Sequence, residues 1–283
     1  MAEAKIQPDS ELRANMTKGT APRELPWYKT DFEQVPEPSK TILEKYSKIS
    51  PDQVLQHVKD VFPYPCIGEF RFLDMSISNS RVYPEVLERL KSGQKLLDVG
   101  CAVGQELRNM VYNGIPSENL YASDLHQSFF DIGYDLFQDR ETLKSTFIAS
   151  DIFDDDSALV KDLCGKMDIV NASSFFHLFS WDQQVVIAKR IISLLHAQPG
   201  SLIIGRQTGC LDPISPLAKE NLPKPYRHNV ETWKMLWEQV QAETETQWEV
   251  GGWLEEWGGA SSWMKDYHGD KGTCRIWFVV RRV

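Results

Sequence analysis

The sequence predicts an α/β protein, doubly wound around a mostly parallel seven-stranded sheet, with a helical cap before the sheet and an antiparallel hairpin after it. Three observations carry this. Short apolar runs alternate with helical periods from about residue 95 almost to the end, the pattern of parallel βαβ units whose sheet is covered on both faces. A glycine-punctuated strand-to-helix turn opens that series. The tail, residues 273–280, is rich in β-branched and aromatic residues, and a shorter run at 246–250 can pair with it.

Taken in order, residues 1–36 read as a flexible arm, polar apart from the Pro26-Trp27-Tyr28 cluster, whose aromatics are expected to dock on the core or to roof a pocket. Residues 37–90 read as a helical cap. Ile42, Leu43 and Tyr46 share one face, and Ser50-Pro51-Asp52-Gln53 starts a second helix by N-cap and N1 chemistry. Phe62-Pro63-Tyr64-Pro65-Cys66 breaks it, because proline lacks an amide donor and restricts its predecessor. A further helix falls near 84–90. In the third region, 91–283, strands are expected at 95–99, 119–123, 146–150, 167–172 and 201–206, with helices at 105–113, 128–137, 158–163 and 181–195 between them. Arm and cap together are expected to close over the ligand.

The chain has 283 residues, of which 42% are hydrophobic and 25% charged, enough for one sizeable core with an appendage. A net charge of -9 and a pI near 5.2 disfavour a nucleic-acid partner, since a phosphate backbone would be repelled. With no long apolar segment, no membrane span is expected, and the protein reads as cytoplasmic. Five scattered cysteines outside any C-x-x-C pair argue for reduced thiols and against a zinc site.

The chemistry concentrates at the expected strand ends. Leu96-Leu97-Asp98-Val99-Gly100-Cys101-Ala102-Val103-Gly104-Gln105 runs from a strand through a tight turn into a helix, where Gly100 and Gly104 let the backbone approach a ligand and the helix offers free amides. Alone, this is also the pattern of an ordinary turn. Two later carboxylates strengthen it. Asp124, followed by Leu125, is placed to accept ribose hydroxyls, and Asp151, followed by Ile152 and Phe153, to accept from an adenine amino group held between apolar neighbours. Backbone, ribose acceptor and base acceptor thus come from three successive strands, which points to a nucleoside-bearing cofactor.

The line from Leu96 to Gln105, with Asp124 and Asp151, resembles the S-adenosylmethionine motifs of class I methyltransferases rather than a nicotinamide dehydrogenase, whose third glycine lies farther into the helix. Ile49-Ser50-Pro51, Cys66-Ile67-Gly68-Glu69-Phe70-Arg71-Phe72-Leu73, Asp131-Ile132-Gly133-Tyr134-Asp135-Leu136-Phe137 and Arg227-His228 are similar to fungal secondary-metabolite methyltransferases, a family that includes carboxyl O-methyltransferases of meroterpenoids. The resemblance spans roughly residues 40 to 283. It implies S-adenosylmethionine as cofactor and a hydrophobic small-molecule substrate, most simply methylated at a carboxyl group. Ala102 departs from the family's usual middle glycine, which a negative φ would accommodate.

Within this frame Asp98, Gly100, Cys101, Ala102, Gly104, Asp124, Leu125, Asp151, Ile152, Phe153, Asn171 and Ala172 are the candidate cofactor contacts. His177, in Ser173-Ser174-Phe175-Phe176-His177-Leu178-Phe179, is the candidate base or positioning group; the alternatives are a helix cap or core packing. Arg206 and Gln207, expected just past the fifth strand, could hold a carboxylate or carbonyl as a pair, or face solvent. Arg71 and Arg81 could offer a similar charge from the N-terminal side, though a solvent-facing position is the simpler expectation for both. Tyr28, Phe72, Trp253 and Trp263 are the candidate apolar wall, with Trp253, Trp257 and Trp263 expected in a loop; the alternative is an aromatic seam within the hairpin. Trp233 and Trp237, four apart, suit a buried helix face. No metal-ligand spacing appears. Phenol or amine methylation, a cyclase that retains the cofactor, and a non-catalytic binding subunit are the competing functions; a monomer or homodimer is expected.

Overall fold

The computed structural model describes residues 32–61, 68–218, 222, 225–256 and 272–283. In chain order its helices and strands are α1 (Ser39–Thr41), α2 (Val54–Val61), α3 (Tyr83–Lys91), β1 (Leu96–Val99), α4 (Gln105–Tyr112), β2 (Leu120–Asp124), α5 (Gln127–Phe137), β3 (Thr146–Ala149), α6 (Ala158–Leu163), β4 (Ile169–Asn171), α7 (Trp181–Leu194), β5 (Leu202–Cys210), α8 (Val230–Thr244), β6 (Trp248–Glu256) and β7 (Thr273–Arg282). Two compact units result, and neither is contiguous in sequence. The first gathers the described residues up to Met75 with 102–105 and 126–143; the second comprises 76–101, 106–125 and 144–283.

In the helical unit, α1 runs directly into a π-helical turn, Ile42–Tyr46, that buries Ile42 and Leu43. The packing partners are far apart in sequence. Tyr46 Oη donates to Asp139 Oδ2 at 2.7 Å, His57 Nε2 donates to the Leu136 carbonyl at 2.8 Å, and Ser39 Oγ donates to the Leu73 carbonyl. Phe32 stacks on Phe70 with ring centroids 4.1 Å apart.

The second unit is a seven-stranded sheet in the order β3-β2-β1-β4-β5-β7-β6. Strands β1 to β5 pair in parallel and β7 runs antiparallel to both its neighbours. Every residue of β1 is buried, as expected of a central strand covered on both faces. Helices α7 and α8 each open with a capping box, Ser180 with Gln183 and Asn229 with Thr232, so their first turns are fixed by local chemistry. Trp233 and Trp237 on α8 are fully buried against Phe278 and Trp248.

The hairpin is longer than its sequence suggests. β5 continues to Cys210 and β6 to Glu256, because β7 pairs with each over nine registered positions and satisfies their backbone groups. Two expectations change with it. Arg206 and Gln207 lie inside β5 rather than beyond it, and Trp253 belongs to a strand rather than a loop. Tyr28, Trp257, Trp263 and most of the arm at 1–36 lie outside the described residues.

Candidate active site

In open α/β sheets ligands bind beyond the carboxyl ends of the strands, where the strand order reverses. Here the reversal falls between β1 and β4. Asp98 of β1 is in register with Asn171 of β4, and Asn171 Nδ2 donates to Asp98 Oδ1 at 2.6 Å. The Asn171 Oδ1 accepts from Ser173 Oγ at 2.7 Å, so this side chain is turned to protein partners and acts on the site through Asp98. Ala172 is fully buried, its amide donating to the Ile204 carbonyl at 2.9 Å. Asp124 is the last residue of β2; Asp151 lies two residues past β3, exposed, with Oδ1 accepting the Phe153 amide at 2.9 Å. Ile152 is buried and Phe153 packs edge-on to Phe179, while Leu125 is exposed.

Acidic groups gather at this edge. Burial, then the charges of Glu106 and Asp124, hold the Asp98 carboxyl well above the usual carboxylate range, although the Asn171 hydrogen bond opposes them. Burial also raises Glu106, whose Oε1 accepts from Ser76 Oγ at 2.7 Å and from the amides of Ser76 and Ile77. Its Oε2 is buried without a hydrogen-bond partner among the described residues. The Cys101 thiol is pushed up by burial and by Asp124 and Asp98, so it stays protonated. Acids buried beside one another at a ligand edge are suited to a cationic guest.

The turn leaving β1 is tight. Gly100 has φ +71°, and a Cβ there would lie 2.5 Å from Phe175 Cδ2, so glycine is required twice over. Gly104 also has positive φ, +67°. The negative φ that would accommodate Ala102 without strain is not adopted: it stands at φ +50°. The turn imposes the left-handed conformation and the methyl group bears its cost, about 1–2 kcal/mol for an L-residue. Ala102→Gly should therefore stabilise the protein by about 1 kcal/mol once the greater freedom of glycine in the unfolded chain is subtracted. Urea denaturation measures this, and a destabilised variant would show that the methyl group packs to advantage.

On the acceptor side, β4 ends opposite Ile204, so the later residues of β5 stand past it at the carboxyl edge. Neighbouring residues in a strand project to opposite faces, which corrects the expectation that Arg206 and Gln207 grip one group as a pair. Arg206 is only 5% exposed and lays its guanidinium 5.4 Å from the centre of the Trp277 ring. Gln207 turns to the other face, where its Oε1 accepts the His177 amide at 3.1 Å and its Nε2 is buried without a hydrogen-bond partner among the described residues. His177 sits half-buried in a 3-10 turn, Phe176–Leu178; the helix cap is Ser180, not this histidine. Trp253 stacks on Trp277, whereas Phe72 is buried in the helical unit beside Phe70, and Arg71, half-buried, belongs to that same unit.

Comparison with known proteins decides the family. Residues 27–73 match the family described as the meroterpenoid methyltransferase N-terminal domain. The O-methyltransferase phiE of a fungal species (strain ATCC 74256) is 51% identical over 81% of this chain and 79% of its own length. Methyltransferase adrK of Penicillium rubens is 48% identical over 89% and 92%. The asnovolin E/chermesin D methyltransferase nvfJ of Aspergillus novofumigatus is 49% identical over 78% and 82%. The chain belongs to this fungal methyltransferase family. It is a class I S-adenosylmethionine-dependent enzyme. The carbon methyltransferase CurJ, at 16% identity and a TM-score of 0.51, covers 87% of this chain and 67% of its own, and shows the fold alone.

For a methyltransferase, the donor set at the carboxyl edge fits its cofactor. Asp124 would take the ribose hydroxyls, Asp151 the adenine amino group beside Ile152 and Phe153, and the buried acids around Asp98 the cationic methionine end. Sequence reasoning passed over Glu106 and Trp277. Glu106 is four residues before the buried Met110 and so shares the apolar face of α4, a signal that was readable. Trp277 was visible only as one more aromatic in a strand, since its neighbours depend on pairing across the sheet.

Proposed function

We propose that this methyltransferase esterifies a carboxyl group of a hydrophobic secondary-metabolite acid. The observation that carries the reading is Arg206, a buried guanidinium standing past the end of β4 where an acceptor would meet the cofactor. Support also comes from relatives named as an O-methyltransferase and as the methyltransferase of asnovolin E and chermesin D. When bound, S-adenosylmethionine supplies an electrophilic methyl group on a sulfonium sulfur. A carboxylate is already ionised at neutral pH, so no side chain has to remove a proton. The protein's work is alignment and exclusion of water. Arg206 pairs with one carboxylate oxygen and leaves the other to attack.

Incubation with methyl-labelled S-adenosylmethionine and matched acid, phenol and amine acceptors tests this. Label released by mild base as an ester supports the proposal; a base-stable methyl ether or N-methyl product rejects it. His177→Ala should lower the rate less than tenfold, with no new dependence on pH near neutrality, because the histidine positions rather than deprotonates. A phenol substrate would instead lose about two to four orders of magnitude and recover part of them at high pH.

A further inference from the structure

We infer that Trp277 is a positioning residue that aims Arg206 at the acceptor carboxylate, as the middle member of a row of side chains laid across β5, β7 and β6. The inference rests on the carboxyl reading above. Arg206, Trp277 and Trp253 occupy one register line, so their side chains stand side by side on the same face. The guanidinium lies 5.4 Å from the Trp277 ring centre, the Trp277 and Trp253 rings are 5.7 Å apart and within 6° of parallel, and Arg81 closes the row 4.4 Å over Trp253. The plane of Trp277 is itself fixed. Its Nε1 donates to Glu255 Oε2 at 2.8 Å, and Glu255 is held in turn by the buried Arg275 at 3.5 Å.

A guanidinium over an indole face is attracted by the ring without spending its N–H donors there, so this contact and a carboxylate at the N–H groups do not compete. The contact with the ring therefore limits where the Arg206 head group comes to rest. Arg206 also lies close enough to Glu106 to draw that carboxyl down against the rise that burial causes. If countering Glu106 were its whole purpose, Arg206 would serve stability alone.

The test uses the purified full chain as wild type, Trp277→Leu, Trp277→Phe, Trp253→Leu and Arg206→Gln. The probes are the carboxylic acid that the labelling assay turns over and its primary amide, a neutral isostere. Trp277→Leu should raise KM for the acid about tenfold, with kcat, S-adenosylmethionine affinity and amide affinity within twofold of wild type. Trp277→Phe should restore KM to within about threefold, and Trp253→Leu, which removes an outer member and less of the core, should raise it about threefold. An unchanged KM in both leucine variants overturns the inference, as does equal weakening of acid and amide. Should Arg206→Gln raise the acid KM while the tryptophan variants do not, the carboxylate anchor survives and only the positioning role falls. Should Arg206→Gln leave the acid KM unchanged, both fall.

Discussion

Asp124→Ala is expected to weaken S-adenosylmethionine binding by about one to two orders of magnitude. The residue closes β2, and its carbonyl accepts the Ser150 amide at 2.8 Å, so its backbone is held by the neighbouring strand whatever the side chain. The variant should therefore fold, and the loss should appear in binding. Two ribose hydroxyls would surrender a charged acceptor, and a hydrogen bond to an ionised group is worth about 1.5–3 kcal/mol. Part of the loss is offset because Asp124 repels the buried Asp98, which becomes easier to ionise once that charge is gone. Asp124→Asn separates the two effects by removing charge while keeping one acceptor oxygen. Asp151→Ala should cost less, since one Asp151 oxygen is already engaged by the Phe153 amide and a single amino group is lost. Titration calorimetry ranks the three. An Asp124→Ala protein of unchanged affinity would remove the residue from the site, and a larger loss in Asp151→Ala would reverse the ribose and adenine assignments.

His228 should make the protein lose stability in mild acid. The ring is fully buried, and burial depresses its pKa from 6.5 to about 3. The hydrogen-bond network fixes its tautomer. Gln184 Nε2 donates to the carbonyls of Phe179 and Tyr226, so Gln184 Oε1 is left to accept from His228 Nε2 at 2.9 Å. The ring nitrogen Nδ1 then faces Thr232 Oγ1 at 3.2 Å as an acceptor, and a proton placed there would put a charge against a buried, neutral hydroxyl. Because the folded pKa lies below the unfolded one, the unfolded chain binds the proton first. The contribution is full above about pH 6.5 and declines as pH falls toward 3. One proton costs about 1.4 kcal/mol per pH unit, or about 2 kcal/mol by pH 5. Asp98 and Glu106 act with the opposite sign, since their raised pKa values favour the folded state as they protonate. The comparison must therefore be between wild type and His228→Gln at pH 7 and pH 5 by urea denaturation, with about 2 kcal/mol expected in the difference of their pH responses. Ring resonances that titrate near pH 6.5 in the folded protein would overturn the argument without any variant.

The parallel strands were legible because each carries its own apolar run, and the turn at Gly100, Asp124 and Asp151 because strand ends announce themselves by a change from apolar to polar. What escaped depends on partners remote in sequence. Gln207 to Cys210 have no strand-like pattern and remain in β5 only because residues 273–276 pair with them. Arg206 and Gln207 look like a pair in the sequence and are separated by the pleat. Trp253 sits between Gly252 and Leu254 in what reads as a loop, yet the pairing with Trp277 makes it a strand residue. Ala102 shows the limit at the level of one torsion. Its residue type argued for negative φ, and the geometry of the turn prevailed.

The interleaving of the two compact units bears on how such enzymes can be recombined. Tyr46 and His57 find their partners at Asp139 and Leu136, which the chain reaches only after β1 and β2 have been laid down. A chimera that exchanges residues 1–75 between two relatives would thus import one side of a packed helical core and leave the other side, 126–143, in the host sequence. Exchange of both segments together keeps the core matched. Swaps confined to the first segment should yield misfolded or heat-sensitive proteins at a rate set by how far the two parents have diverged at those contacts, so inherited variation in the two segments should travel as one block.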